Sequence, residues 1–409
     1  MTFDITTRWR ALNSLLVECE NLWRPRPFRE SRPAWIDRFP DLSAWLAALS
    51  DADVIALEDD HAALCTVLAT HIPGIAQLPK LGRAPRTTQL PHSLPVGFAW
   101  EIAGRKWAQV CALADFIAAR EHAAHRQTSS SNATTPMIDW CSGKGHLARS
   151  IAIRTGGTVI GLERNEVLCT DGNRLAQRDN LNVRVHEVDV LTEAAEVHIH
   201  AGGHIVALHA CGKLHVRLLR LAVLHGTQHI DLVPCCHHLC STNDIALSQL
   251  ARTSPLSLAP NELQLAVQET VTSGASRRRD RERESSWRLG FDLLQRQCGG
   301  TDAYLPVPSI PRALLRTSFA NFVCWAMQRK QLSMQLPASL NEFEVNGHRR
   351  HREVTRLALL RHAFRRPLEM YIVCDRAHYL EENGFAAEIL ELCAREVTPR
   401  NLLIAARRC

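Results

Sequence analysis

The run Asp139-Trp140-Cys141-Ser142-Gly143-Lys144-Gly145-His146 has the residue types and spacing of a ligand cradle. A short extended stretch, Pro136 to Ile138, precedes it, and a helix-like stretch, Leu147 to Ile153, follows. Glycines in such a turn let the backbone approach a ligand, and a helix start presents free amide groups to it. Gly143, Gly145 and Ala148 fit the dinucleotide fingerprint G-x-G-x-x-G/A, which alone has little specificity. S-adenosylmethionine asks for a different electrostatic field, because it lacks a pyrophosphate and carries an α-amino group and a sulfonium. Asp139, four residues before the first glycine, suits those cations and would repel a pyrophosphate. The pattern D-x-x-x-G-x-G therefore favours S-adenosylmethionine over NAD; an ordinary two-glycine turn is the bland alternative.

Further acids follow at the expected places. Thr158 to Leu162 reads as a second buried strand ending in Glu163-Arg164, at about the 20-residue spacing of an acid that holds ribose hydroxyls. After a helical stretch, Asn165 to Arg178, Asn182 to Val188 alternates as a third strand and ends at Asp189-Val190. There an acid can meet the adenine amino group and an apolar side chain its ring. Glu163 alone would be an ordinary solvated charge. Acids at three successive strand ends, with Trp140, Cys141 and Lys144 in the first turn, make a cofactor set.

The elements that must position these residues alternate. His204 to Leu208 is a fourth strand leading into His209-Ala210-Cys211-Gly212, and Lys213 to His225 is a helix with Leu214, Leu218, Leu221 and Leu224 on its apolar face. Ile230 to Val233 is a fifth strand running into Pro234-Cys235-Cys236-His237-His238-Leu239-Cys240. Short apolar strands alternating with helices mean a parallel, doubly wound α/β sheet of Rossmann-like type, with ligands at the carboxyl ends of its strands. Ala387 to Leu392 and Leu402 to Ala406 complete seven strands, the last antiparallel. That closing hairpin suits a methyl-transfer fold better than a dehydrogenase.

His209, His237 and His238 are candidate bases at the rim, with pocket lining as the alternative for each. Cys235, after Pro234, and Cys236 raise thiolate attack on a cytosine ring, although the acid that would assist is replaced by His209 and Cys211. Cys236, His237, His238 and Cys240 are metal-ligand types, but their spacing cannot place all four around one tetrahedral ion; a further ligand such as Cys211 would be needed, and no metal is assigned.

The stretches DWCSGKGHLAR (139–149), VALHACG (206–212), LVPCCHH (232–238) and TPRNLLIAARR (398–408) resemble the class I S-adenosylmethionine-dependent methyltransferase-domain family. Its relatives include methyltransferase-like proteins with "ribosomal RNA adenine dimethylase domain-containing" style names and glutathione S-transferase C-terminal-domain-containing proteins. A Cys-His-His-x-Cys cluster like that at 236–240 also occurs in a tRNA 2′-O-methyltransferase family. The resemblance covers 104–240 and 367–408 best, and Cys141 departs from it where many members have glycine. It implies methyl transfer from S-adenosylmethionine and says little about the substrate; the basic charge, an arginine-rich insertion and the tRNA-modifying relative lean to ribosomal or transfer RNA. A protein or small-molecule acceptor is the alternative, and a non-catalytic module that binds S-adenosylmethionine or NAD is a third.

The 409 residues are too many for one small core. We expect a helical domain over 1–95, cut by Pro25, Pro27, Pro33 and Pro40; a methyltransferase core over 96–240; a helical insertion over 241–351; and the rest of the core over 352–409. In detail, 105–122 reads as a helix, 126–135 as a polar loop, 314–328 as a helix, 352–382 as a long helix kinked at Pro367, and Arg407-Arg408 as a solubilising end. Within the insertion, Arg277, Arg278, Arg279, Arg281 and Arg283 are either an ion-paired solvated face or phosphate contacts, with Trp287 available for stacking. The start has no signal-peptide pattern, no stretch suits a bilayer, and the 14 scattered cysteines read as reduced thiols, so a cytoplasmic enzyme is expected. The net charge of +6 permits a nucleic-acid partner.

Overall fold

The strands are β1 (Met137–Trp140), β2 (Val159–Glu163), β3 (Val183–Glu187), β4 (His204–Cys211), β5 (His229–Cys235), β6 (Phe385–Glu391) and β7 (Leu402–Arg408). They come from a computed structural model that describes residues 3–30, 32–88, 94–95, 97–127, 135–268, 275–299 and 303–409. They form one sheet in the order β3-β2-β1-β4-β5-β7-β6, parallel except for β7, which pairs antiparallel with β5 and β6. This is the expected Rossmann-like α/β architecture with an antiparallel C-terminal strand.

The helices that serve the sheet are α1 (Ile5–Glu18), α2 (Gly104–Gln127), α3 (His146–Thr155), α4 (Glu166–Arg178), α5 (Lys213–Leu224) and α6 (Arg365–Glu382). Strand residues alternate between faces. Met137, Val159, Val206, Val233 and Leu403 join one core with Leu113 and Ile117 of α2 and Leu147 and Ile151 of α3. The alternate residues Ile138, Ile205, Ile230 and Ile404 are also buried. Trp140, in phase with Ile138, donates its indole N–H to the Leu214 carbonyl at 3.1 Å, which puts α5 on that second face.

The chain divides into two units. The first is Met1–Glu18, Pro79–Val271 and Arg365–Cys409, and it holds the sheet. The second is Cys19–Leu78 and Thr272–Phe364. Residues 1–18 go with the sheet, where α1 meets α6, and Trp9 stacks on Tyr371 at 5.1 Å. In the second unit, helices Ala275–Gly299 and Asn341–His362 cross so closely that a Cβ at Gly347 would lie 2.4 Å from the Ser286 carbonyl oxygen.

Local boundaries also differ from expectation. α2 continues to Gln127, so Arg126 begins no loop; residues 128–134 of that expected loop lie outside the described residues. The long helix read at 352–382 is two helices, broken at Ala363-Phe364. Pro367 stands in the first turn of α6, where its missing N–H removes no helical bond. Leu314–Arg316 is one tight turn, and the next helix starts at Phe319, capped by the Ser318 side chain. Arg407 and Arg408 belong to β7, in register with His229 and Phe385, and the Arg408 guanidinium sits 5.3 Å from the Phe385 ring centre.

Candidate functional site

Asp139 lies on the face of β1 covered by α3, and its Oδ2 accepts the Ala148 N–H at 3.2 Å. The carboxylate is 2% exposed and satisfies an amide that the first turn of α3 leaves free. Burial pushes the carboxyl up to about 7, against the opposing pull of the Ala148 amide and Lys106. Trp140 faces the other way, fully buried against α5, and leaves no surface for a ligand.

Cys141 is half-buried with φ of 61°, in the left-handed region that glycine enters freely and other residues enter at about 1–2 kcal/mol. Its place in the turn is thus a glycine position occupied by cysteine. Burial, then Glu163 and Asp139, push its thiol up to about 12. Beyond it, a side chain built on Gly143 would meet no atom within 4 Å, so the loop borders open space.

Glu163 ends β2 and ties this loop down. Its Oε2 accepts the Gly143 N–H at 3.0 Å and its Oε1 accepts the Asn165 N–H at 2.9 Å. Each carboxylate oxygen keeps further acceptor capacity. Lys144 is taken away from the cradle by Asp171 at 2.7 Å and Glu101 at 3.2 Å. Arg164 is exposed, and Asp189, half-buried beyond β3, accepts the Leu191 N–H at 2.9 Å. Val190 beside it is buried.

His209 stands at the register shift between Leu208 and Ala210 on β4, with φ of 64°. Its Nε2 meets the Gln109 side-chain oxygen of α2. Burial first, then Arg400 and Lys106, hold the imidazole down at about 4, so it is neutral at pH 7 and a weak acceptor of protons. Gln109 was invisible to motif reading, since it lies 100 residues from its partner.

The segment after β5 does not present its residues alike. Cys235 is buried, and hydrogen bonds to Cys211 and Cys236 keep its proton on, so its thiol is pushed up rather than activated. Cys236, half-buried with φ of 46°, is the thiol pulled down, by hydrogen bonds from Cys211 and Cys235. Of the two thiols raised for ring attack, the hydrogen bonds raise Cys235 and lower Cys236. His237 is fully buried, edge-on to His215 at 5.8 Å, with neither ring nitrogen hydrogen-bonded. Burial and Arg376 drive it down to about 3. It faces the core and reaches no acceptor at the rim, whereas His238 is half-buried beside Cys236.

Two residues that spacing did not reveal hold this segment. The guanidinium of Arg376 on α6, wholly buried, donates to the carbonyls of Ile245 and Asp244 at 2.5 and 2.9 Å and reaches Cys240 Sγ at 3.9 Å. Asp375 accepts the Ser248 amide and hydroxyl at 2.9 and 2.6 Å. The Cys240 thiol thus belongs to a structural network and is not gathered with its neighbours as a ligand set.

In the second unit, Arg277, Arg278, Arg279 and Arg281 are exposed. Arg283 donates to the Leu315 carbonyl at 2.8 Å. Trp287 offers no stacking face: it is 2% exposed, stacked on Phe322 at 5.7 Å, and gives its N–H to Glu344.

Residues 105–243 match a family model described as a methyltransferase domain. The match opens on α2 and runs past the Cys236–Cys240 segment, so it contains the glycine turn, both acids beyond it and the thiol-rich rim.

Proposed function

We propose that this methyltransferase-domain protein draws its methyl group from S-adenosylmethionine, held across the carboxyl ends of β1, β2 and β3. The observation that carries the reading is the left-handed turn at Cys141–Gly145, open beyond Gly143 and tied to the strand-end carboxylate of Glu163. That donor set fits the cofactor: Glu163 has lone pairs left for ribose hydroxyls, and Asp189 with Val190 offers an acid and an apolar neighbour for the adenine. When bound, the cofactor supplies an activated methyl group on a sulfonium, for in-line displacement by the acceptor.

The chain's own part is to position the acceptor and take a proton. Effective positioning contributes more than proton transfer in such reactions, by roughly 7–11 kcal/mol against 10²–10⁴-fold. Neutral His209, oriented by Gln109, is the base at the end of β4. His238 and Cys236 line the same rim from β5.

We take RNA, ribosomal or transfer, as the acceptor class. The exposed arginines 277, 278, 279 and 281 and the net charge of +6 support it. A cytoplasmic site of action accords with 14 free cysteines; among the described residues no helix is long and apolar enough to cross a membrane. Calorimetry of the full chain with S-adenosylmethionine and with NAD tests the donor. Absence of heat with the first and binding of the second would overturn it. Labelled methyl transferred into cell extract, then separated into RNA, protein and small-molecule fractions, tests the acceptor; label confined to protein or small molecules would refute RNA.

A further inference from the structure

We propose that Cys211, Cys235 and Cys236 form a three-thiolate site for a zinc ion at the carboxyl ends of β4 and β5. The three sulfur atoms all lie within 4.8 Å of one another, and no other residues converge in this way among those described. Cys211 and Cys235 end adjacent parallel strands as register partners, with their sulfurs 3.1 Å apart.

The backbone is bent to achieve this. In a regular strand Cys235 and Cys236 would point to opposite faces. Cys236 enters the left-handed region instead, which brings its thiol back to that of Cys235. Cys211 comes opposite Cys235 only because the register shifts at His209, itself left-handed. Each such non-glycine residue costs about 1–2 kcal/mol, and strain of this kind concentrates where a site needs it. Gly212 then admits the Leu239 backbone so closely that a Cβ there would lie 2.5 Å from it, which presses the Cys236–Cys240 segment onto the β4 end.

Thiolates are the preferred ligands of zinc. At the usual Zn–S length, tetrahedral sulfurs stand about 3.8 Å apart, within the spread seen here. Three thiolates and one divalent ion leave one negative charge, and Arg400 acts electrostatically on both Cys211 and Cys236. Three protein ligands leave the fourth tetrahedral position open to water or to a donor atom of a ligand, as in catalytic zinc sites.

The test uses the full chain, purified under reduction without chelator, loaded with zinc chloride, dialysed and measured by elemental analysis. One zinc per chain is expected. The double variant Cys211→Ser/Cys235→Ser and the single variant Cys236→Ser should each hold about tenfold less. Cys324→Ser/Cys409→Ser, which removes exposed thiols, should hold as much as the wild type. Cobalt(II) titration should give sulfur-to-cobalt charge-transfer absorption with wild type and a much weaker band at equal cobalt with Cys236→Ser, each first shown folded by circular dichroism. Substoichiometric zinc in the wild type, full zinc in Cys236→Ser, or no charge-transfer band would overturn the site. So would a mass lower by two hydrogens with Cys211 and Cys235 joined in one peptide, which would make the pair a redox couple.

Discussion

The carboxylate of Glu163 holds the backbone N–H of Gly143 at 3.0 Å, so the end of β2 fixes the turn that follows β1. Hydrogen bonds to charged groups contribute about 1.5–3 kcal/mol, and Glu163 makes two to backbone amides. Glu163→Ala is therefore expected to weaken S-adenosylmethionine binding by about 10- to 100-fold in calorimetry, by loosening the loop and removing the ribose partner. Wild-type affinity in this variant would take Glu163 out of the cradle.

Asp139 gives a pH signature. Its folded carboxyl is raised from 3.8 to about 7, chiefly by burial, so the protonated form suits the folded state. An acid raised in this way contributes stability that is complete below its unfolded value of 3.8 and lost as pH rises to about 7. Asp139→Asn keeps an acceptor for the Ala148 amide without the charge. The ligand-free variant should thus gain on the wild type between these pH values and keep a constant lead above about 7, on the order of 2–4 kcal/mol. Denaturant melts across this range measure it; a lead that is flat with pH would show the carboxylate to be unperturbed.

His237 separates packing from catalysis. It is buried with both ring nitrogens unpaired, and an unsatisfied buried polar group costs about 1–3 kcal/mol. His237→Leu should raise the thermal midpoint and leave the rate of methyl transfer unchanged. A variant that folds normally but has lost transfer would restore His237 as a base.

The arginines 277, 278 and 279 are exposed, so replacing all three with serine should leave stability within about 0.5 kcal/mol. If they contact phosphates, RNA affinity should fall, and the slope of log affinity against log salt should shrink by about 3. An unchanged slope would assign them to a solvated helix face.

Legibility from sequence followed the range of the interaction. The strands that end at Trp140, Glu163 and Cys235 could be read to within about two residues, because hydrophobic alternation and glycine punctuation are local signals. The helix break at Ala363-Phe364 escaped because Pro367, the visible breaker, is harmless in a first turn. Gln109 and Arg376 escaped for a different reason. They act on His209 and on the Cys240–Ile245 segment from 100 and more residues away, and no spacing rule links such positions. Which side of β1 each residue faces explains the rest: alternation sends Asp139 to α3 and Trp140 to α5, so two neighbours in one motif have unrelated duties.

The placement of β7 between β5 and β6 bears on how the protein is made. A ribosome delivers the glycine turn and the whole rim early, yet β5 then ends the sheet as an unpaired edge, and the partner of the Cys240–Ile245 segment, Arg376, is still unmade. Residues 19–78 likewise wait for 272–364 before their unit can close. The residues of the motif are thus made more than a hundred residues before the strand and the arginine that complete their surroundings. During that interval the exposed edge of β5 invites pairing with other strands, and its capture by β7 is the event that ends the hazard.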